Sequence, residues 1–231
     1  MTRVLVVSGT GTGVGKTVVT AAIAALAIAR GDRVAVVKPA QTGTAAGEIP
    51  DTEAVRRLTG LTDTHELATF PDPLSPEAAA RVAGLAPLDL RAAADHVAKL
   101  AESRDLVLVE GAGGLLVRYD PDGGTIADLA AALDAPVAVV AAAGLGTLNH
   151  TALTLEALAA RKIVSAGVVI GSWPARPGLA ELANQADLEV VAGGPLAGLL
   201  PAGASALDRR AFLAVATAGL IPSLGGTRGG Y

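Results

Sequence analysis

Short apolar runs rich in β-branched residues recur along the chain: VLVV from Val4, VAVV from Val34, LVLVE from Leu106, VAVV from Val137, VVI from Val168 and LAGLL from Leu196. Each is followed by a turn and then an alanine-rich segment of helical length. Strands alternating with helices predict an α/β protein built on a parallel sheet. The runs lack polar alternation, so both faces of the sheet should be covered, giving a three-layer αβα sandwich. Helix punctuation agrees with this pattern. A helix from Lys16 to Arg30 stops at Gly31, a short one opened by Ser75-Pro76-Glu77 stops at Gly84, and Asp89 precedes another that reaches about Ala101. Further helices are predicted from near Thr147 to near Arg161 and from about Ser205 to Ala218. The stretch from Thr42 to Pro50 has neither period and reads as a mobile loop. One domain is expected over residues 1–220, followed by a disordered tail over 221–231.

Composition narrows the class. With 231 residues, 51% of them hydrophobic, the chain can bury a large core. Its most apolar stretch, from Pro136 to Leu148, is closed by Asp134 and by Asn149-His150, and a bilayer needs about 20 residues. The start, MTRVLVVSG, runs straight into a glycine turn and reads as a first strand rather than a signal peptide, so a cytoplasmic protein is expected. Zero cysteines exclude disulfides, a thiolate metal site and a cysteine nucleophile for glutamine hydrolysis. A net charge of -4 without a basic block, and an aromatic content of 2%, argue against a nucleic-acid partner.

The chemistry concentrates in four stretches. GTGTGVGKT, residues 9–17, lies between a strand and a helix opened by Lys-Thr, the setting a phosphate loop requires, because backbone amides and the helix dipole together attract an anion. The usual spacing G-x-x-x-x-G-K-[ST] would put a glycine at Thr10, whereas the glycines fall at 9, 11 and 13. The extra residue is tolerable if Gly9, Gly13 and Gly15 take the demanding positions. The backbone from Gly13, Val14 and Gly15 to Val18 would then cradle a nucleotide, Lys16 would reach its outer phosphates and the Thr17 hydroxyl would bind magnesium. In LVLVEGAGG, residues 106–114, Glu110 ends an apolar strand as a second magnesium ligand or as an acid capping the next turn. The Gly111-Ala112-Gly113-Gly114 backbone that follows would let a ligand approach closely. In VAVVKPAQTGT, residues 34–44, Lys38 either points into a ligand crevice or snorkels to solvent. Asp51, before ten residues of helical character, is either a site residue or only a helix N-cap. GLGTLNHTALTLEALAAR opens a helix with Thr147 and Asn149 in its first turn, which is either a carboxylate seat or a plain helix start. His65, His96 and His150 read as structural, and Trp173 as either pocket floor or core plug.

Taken together these stretches resemble the dethiobiotin synthetase family, P-loop NTPase-like proteins, over about residues 4–215. GTGTGVGKT carries that family's own six-residue gap, and KPAQTGT, VEGAGGLLV and GTLNHTALT follow in order. The resemblance implies a homodimer with active sites near the interface and a magnesium-dependent reaction of 7,8-diaminononanoate, carbon dioxide and ATP. It assigns Lys16 to the phosphates, and Thr17, Asp51 and Glu110 to magnesium. Lys38 and Thr12 would face the carbamate and γ-phosphate, and Thr42 the diamine. Leu145, Gly146, Leu148 and Asn149 would take the diamine carboxylate across the dimer interface. Where many members resemble G-x-x-x-N, with an asparagine reading adenine, this chain has Gly171. Ser172 and Pro201-Ala202-Gly203 therefore offer the base little beyond main chain, and other nucleoside triphosphates are expected to serve beside ATP. Two rivals fare worse. A partitioning-type ATPase would carry a lysine where Gly11 stands, and an amidotransferase synthetase would need the missing cysteine.

Overall fold

The computed structural model describes residues 3–47 and 49–229. Its elements run β1 (Arg3–Gly9), α1 (Lys16–Ala29), β2 (Val34–Gln41), α2 (Asp51–Thr59), β3 (Thr64–Thr69), α3 (Pro76–Ala83) and α4 (Leu90–Ala101). They continue with β4 (Leu106–Gly114), α5 (Ile126–Ala132), β5 (Val137–Ala141), α6 (Thr147–Ala160), β6 (Ser165–Trp173), α7 (Leu179–Ala192), β7 (Gly198–Pro201) and α8 (Arg209–Gly219). The seven strands form one sheet in the order β3-β2-β4-β1-β5-β6-β7, and every pairing is parallel.

The expected sandwich follows from the side-chain alternation of strands buried on both faces. In β1, β2 and β4, Leu5, Val7, Val34, Val36, Leu106 and Leu108 face one apolar layer, closed by α1, α2 and α8 through Ile23, Val55, Leu58 and Phe212. The intervening Val6, Ala35, Val37, Val107 and Val109 face the other, closed by α3 to α7 through Ala80, Val97, Leu129, Leu158 and Leu188. Among the described residues no helix is long and apolar enough to cross a membrane.

Several elements depart from the sequence reading. β3, THELAT, has only Leu67 and Ala68 as apolar residues and no β-branched run; it is an edge strand held by pairing to β2 rather than by burying both faces. α5 is a helix of 7 residues, IADLAAA, outside the sequence reading, and Thr125 and Asp128 close a reciprocal capping box at its start. α7, of 14 residues, was also unforeseen. The last helix begins later than expected. Ala204–Ala206 form a separate 3₁₀ turn, Leu207 is extended, and α8 starts where the Asp208 carboxylate accepts the Ala211 N–H.

The loop expected to be mobile from Thr42 to Pro50 instead contains a 3₁₀ turn at Thr44–Ala46, with Gly43 and Ala45 amides donating to Asp72 and Pro71 carbonyls; Glu48 lies outside the described residues. The tail expected to be disordered also differs. Pro222–Leu224 form a 3₁₀ turn, Thr227 N–H donates to Thr217 O at 2.7 Å and Arg228 N–H to Leu220 O at 2.9 Å, so the chain folds back on α8. Residues 230 and 231 of that tail lie outside the described residues.

Candidate active site

Because all strands are parallel, their carboxyl ends share one edge of the sheet, where ligands of open α/β folds bind. There the turn from β1 into α1 meets the tips of β2 and β4 around a cleft of about 750 Å3. The turn owes its shape to glycine. Gly13 (φ +75) and Gly15 (φ +96) sit in left-handed backbone that other residues resist. Gly9 is not at positive φ. It is glycine because a Cβ there would lie 2.7 Å from Gly11 O and 2.8 Å from a Val14 methyl. Lys16, in the first turn of α1, folds back and donates to Gly11 O at 3.0 Å, closing a ring of backbone around the space where phosphates would lie. Burial, and secondarily the nearby Lys38 charge, bring the Lys16 ammonium down to about 8.

Lys38 does not snorkel. It is 3% exposed, and its ammonium sits 2.5 Å from Asp51 Oδ2, 3.0 Å from Glu110 Oε1 and 3.2 Å from Gly111 O. Burial opposes that charge, but Glu110 and Asp51 outweigh it and hold Lys38 above the usual lysine range. Burial likewise works against Asp51 ionising, and Lys38 more than reverses it, keeping the carboxyl below its usual range. Asp51 is not the cap of α2. It occupies the first helical position after Pro50, its amide donates to Gln41 Oε1 at 3.1 Å, and its carboxylate turns to the site. Nor does Glu110, 1% exposed, cap a turn.

The Thr17 hydroxyl lies 2.9 Å from Asp51 Oδ1 and 2.8 Å from Glu110 Oε1. One hydroxyl and two carboxylates, hard oxygens already within hydrogen-bond reach of one another, form a donor set suited to magnesium. That ion typically takes one or two protein carboxylates and completes its shell with phosphates and water. Among the described residues no group of three or more histidines and acids gathers, so an all-protein metal cage is not on offer.

Of the residues expected at the site, Thr12, Gly13, Gly15, Lys16, Thr17 and Val18 line the cleft from the turn and α1, and Lys38, Thr42, Asp51, Glu110, Ala112 and Gly113 from the neighbouring tips. Val14 is buried behind the turn, and Gly111 contributes its carbonyl. Others stand apart. Leu145, Gly146, Leu148 and Asn149 lie where α6 begins, outside the cleft, with Leu145 90% exposed. The Thr147 hydroxyl is spent on Ala142 O at 2.7 Å, and Gly146 caps α6 without a side chain. Ser172, Pro201, Ala202 and Gly203 are exposed at the tips of β6 and β7. Gly171 is not a blank in a base pocket. It is buried under the turn, where a Cβ would collide with Val14 O and come 2.6 Å from a Val140 methyl. Trp173 packs partly buried on the core layer of α3 to α7 and does not line the cleft.

Sequence reasoning missed Pro73, Leu74, Ser75 and Pro76, which wall the cleft from the turn before α3, and Val117 beyond β4. It also missed Asn184 of α7, a buried amide donating to Ala143 O at 2.9 Å and Gly144 O at 3.0 Å, which ties down the loop that starts α6. The proline run FPDPLSP signalled a turn, but nothing local says what the turn faces.

Comparison with known proteins identifies the family and the fold. The family described as "AAA domain" matches residues 3–206. An ATP-dependent dethiobiotin synthetase of Frankia casuarinae is 66% identical over 223 residues, covering 96% of this chain and 94% of that one. Its counterpart in Streptomyces avermitilis is 58% identical over 224 residues, covering 97% and 94%. A ParA family ATPase of Chlorobium tepidum superposes with a TM-score of 0.57 over 97% of this chain and 96% of that one. At 14% identity it shares the fold alone. With a relative this similar along nearly its whole length, and a phosphate loop whose glycines and lysine close as that chemistry demands, the chain belongs to the dethiobiotin synthetase family.

Proposed function

We propose that this chain catalyses the ATP-dependent closure of the ureido ring of dethiobiotin from 7,8-diaminononanoate and carbon dioxide, releasing ADP and phosphate. The observation that carries the reading is the meeting of Lys16, Lys38, Thr17, Asp51 and Glu110 at the mouth of one glycine-rich turn, in a chain of this family. One amine of the diamine adds to carbon dioxide and loses a proton, giving a carbamate. A carbamate oxygen attacks the γ-phosphorus and ADP leaves; the second amine then attacks the resulting mixed anhydride at carbon and phosphate leaves, with loss of a proton.

Phosphoryl transfer asks the protein for little covalent work, so catalysis resides in positioning and in charge. Carbamate and triphosphate are both anions. Lys16 and the amides of Gly13 to Thr17 hold the phosphates, while Lys38, rooted between two carboxylates, places its charge where the anions meet. Thr12 and Thr42 flank that space. Thr17, Asp51 and Glu110 would hold magnesium, which would supply positive charge to offset that of the phosphates. We further infer that α6 serves the neighbouring copy. In a homodimer the uncapped amides after Gly146, with Leu145, Leu148 and Asn149, would receive the diamine carboxylate from the other subunit. The apolar exposure of Leu145, Leu153, Leu179 and Leu182 supports a partner on that face. The expected cytoplasmic location belongs to this reading as well.

Incubating the purified chain with the diamine, bicarbonate, magnesium and ATP should yield dethiobiotin by mass spectrometry. Lys38→Ala should lower the rate by about two to three orders of magnitude while ATP still binds. ATP hydrolysis indifferent to the diamine, with no ring product, would overturn the reading.

A further inference from the structure

Tyr119 lies in the loop between β4 and α5 and is fully buried. The loop is built to carry it inward: Arg118 and Thr125 bridge antiparallel, Tyr119 N–H donates to Gly124 O at 2.8 Å, and Gly124 N–H donates to the Asp120 carboxylate at 2.8 Å. At the other end of the side chain, Ala112 N–H donates to the Tyr119 hydroxyl oxygen at 2.6 Å. That amide belongs to the same peptide unit as Gly111 C=O, which accepts from Lys38 Nζ at 3.2 Å. One peptide plane is therefore gripped at both poles, by Tyr119 on its N–H and by Lys38 on its carbonyl. Gly111 precedes that plane and, having no Cβ, offers little resistance to its rotation, and the plane lies past Glu110, where the regular pairing of β4 with β1 breaks before Gly114. The ladder pairing with β1 and β2 does not reach Ala112, so its N–H is held by the phenol, which burial keeps protonated by raising it above its usual value.

We propose that Tyr119 is a positioning residue for the ring-closing reaction: by holding the Gly111–Ala112 peptide, it fixes the carbonyl that seats Lys38 and the Ala112-Gly113 backbone that faces the substrates. This rests on Lys38 acting on the reacting anions, as proposed above. Without the hydroxyl, the half-buried Ala112 N–H loses its acceptor and the peptide rotates toward another, taking its carbonyl away from Lys38.

Tyr119→Phe keeps the ring and removes only the hydroxyl. Its kcat should fall by about tenfold, the scale of one lost hydrogen bond at a positioned group, while the Kd for ATP stays within about twofold because Lys16 donates to Gly11 O and not to this peptide. Leu129→Ala, in the same apolar layer, should lower the Tm with kcat of the folded enzyme unchanged, which separates positioning from general support. The chain has two tyrosines, Tyr119 and Tyr231, so in a Tyr231→Phe background 3-fluorotyrosine and 3,5-difluorotyrosine label Tyr119 alone. While the phenol stays protonated each fluorine weakens it as an acceptor, so kcat, read at a pH below the point where the fluorinated phenol ionises, should drop stepwise in that order even where the phenylalanine variant folds poorly. A kcat that ignores fluorination, or a folded Tyr119→Phe with wild-type kcat, would overturn the clamp while leaving an inactive Lys38→Ala to support the reaction; an active Lys38→Ala would overturn the reaction reading itself.

Discussion

At the scale of single residues, identity is set by what the neighbouring backbone leaves free. Gly15 and Gly171 show this on two strands' worth of chain. A Cβ on Gly15 would stand 2.6 Å from Gly171 O, and one on Gly171 would press on Val14 O and come 3.1 Å from Gly15 Cα. The two glycines are the contact on which the phosphate turn rests against β6. Gly171→Ala should therefore push the turn outward, since a backbone carbonyl cannot swing aside as a side chain tip can. Overpacking of this kind costs about 1–3 kcal/mol, so the Kd for ATP should weaken by about tenfold or more with a lower Tm. Calorimetric titration decides it, and an unchanged Kd would mean that β6 yields instead. Lys38 illustrates the converse. Its spacing in the chain left open whether it reached solvent, and only the carboxylates of Asp51 and Glu110, 13 and 72 positions away, explain why a buried lysine keeps its charge.

At the scale of elements, helix starts do the positioning. α1 begins on Gly15, α2 on the Asp51 that turns inward, and α6 on Gly146, each without a capping side chain, so their first amides are left for something else to satisfy. For α1 that something is proposed to be phosphate. For α6 it is proposed to be the carboxylate of a diamine held by the other subunit, since the helix start lies outside the cleft of its own chain. Asn149→Ala should then raise the KM for the diamine and leave ATP binding alone. Mixing Lys38→Ala subunits with Asn149→Ala subunits provides the sharper check. A trans arrangement predicts recovery of roughly one competent site per heterodimer, and mixed dimers no more active than their parents would contradict it. α1 and α3 were legible because Gly15-Lys16 and Ser75-Pro76 punctuate their starts and Gly31 and Gly84 their ends. β3 and α7 were not, because an edge strand and a half-exposed helix need only a partner, not an apolar run of their own.

At the scale of the whole molecule, phosphate and base are handled by different parts of the sheet edge. The phosphate end is ringed by charge at β1, β2 and β4. The expected base end, at the tips of β6 and β7, presents Ser172 and the small loop Pro201-Ala202-Gly203, and the nearby Arg57 guanidinium already donates to Ser205 O. Discrimination by about four orders of magnitude arises where a wrong ligand would strand buried polar groups, and exposed main chain strands nothing. ATP, GTP, CTP and UTP should accordingly support ring closure with kcat/KM values within about a hundredfold of one another. A wider preference for ATP would assign the reading to a side chain such as Ser172.

The amino-acid order alone settled the parallel sheet, its two covered faces, the phosphate turn and the identity of most charged groups at the site, because each is a local matter of periodicity, glycine placement or residue chemistry. It also carried the family resemblance. What only the tertiary structure decided is how those groups are joined: that Asp51 abandons its helix start for Lys38, that Gly171 seats the turn instead of facing a base, that Tyr119 returns from a later loop to grip the peptide beside Lys38, and that the Pro73–Pro76 turn walls the cleft. Each of these depends on contacts between segments far apart in the chain, and a pattern along one dimension does not encode which of many polar partners a buried group will find once the sheet has closed.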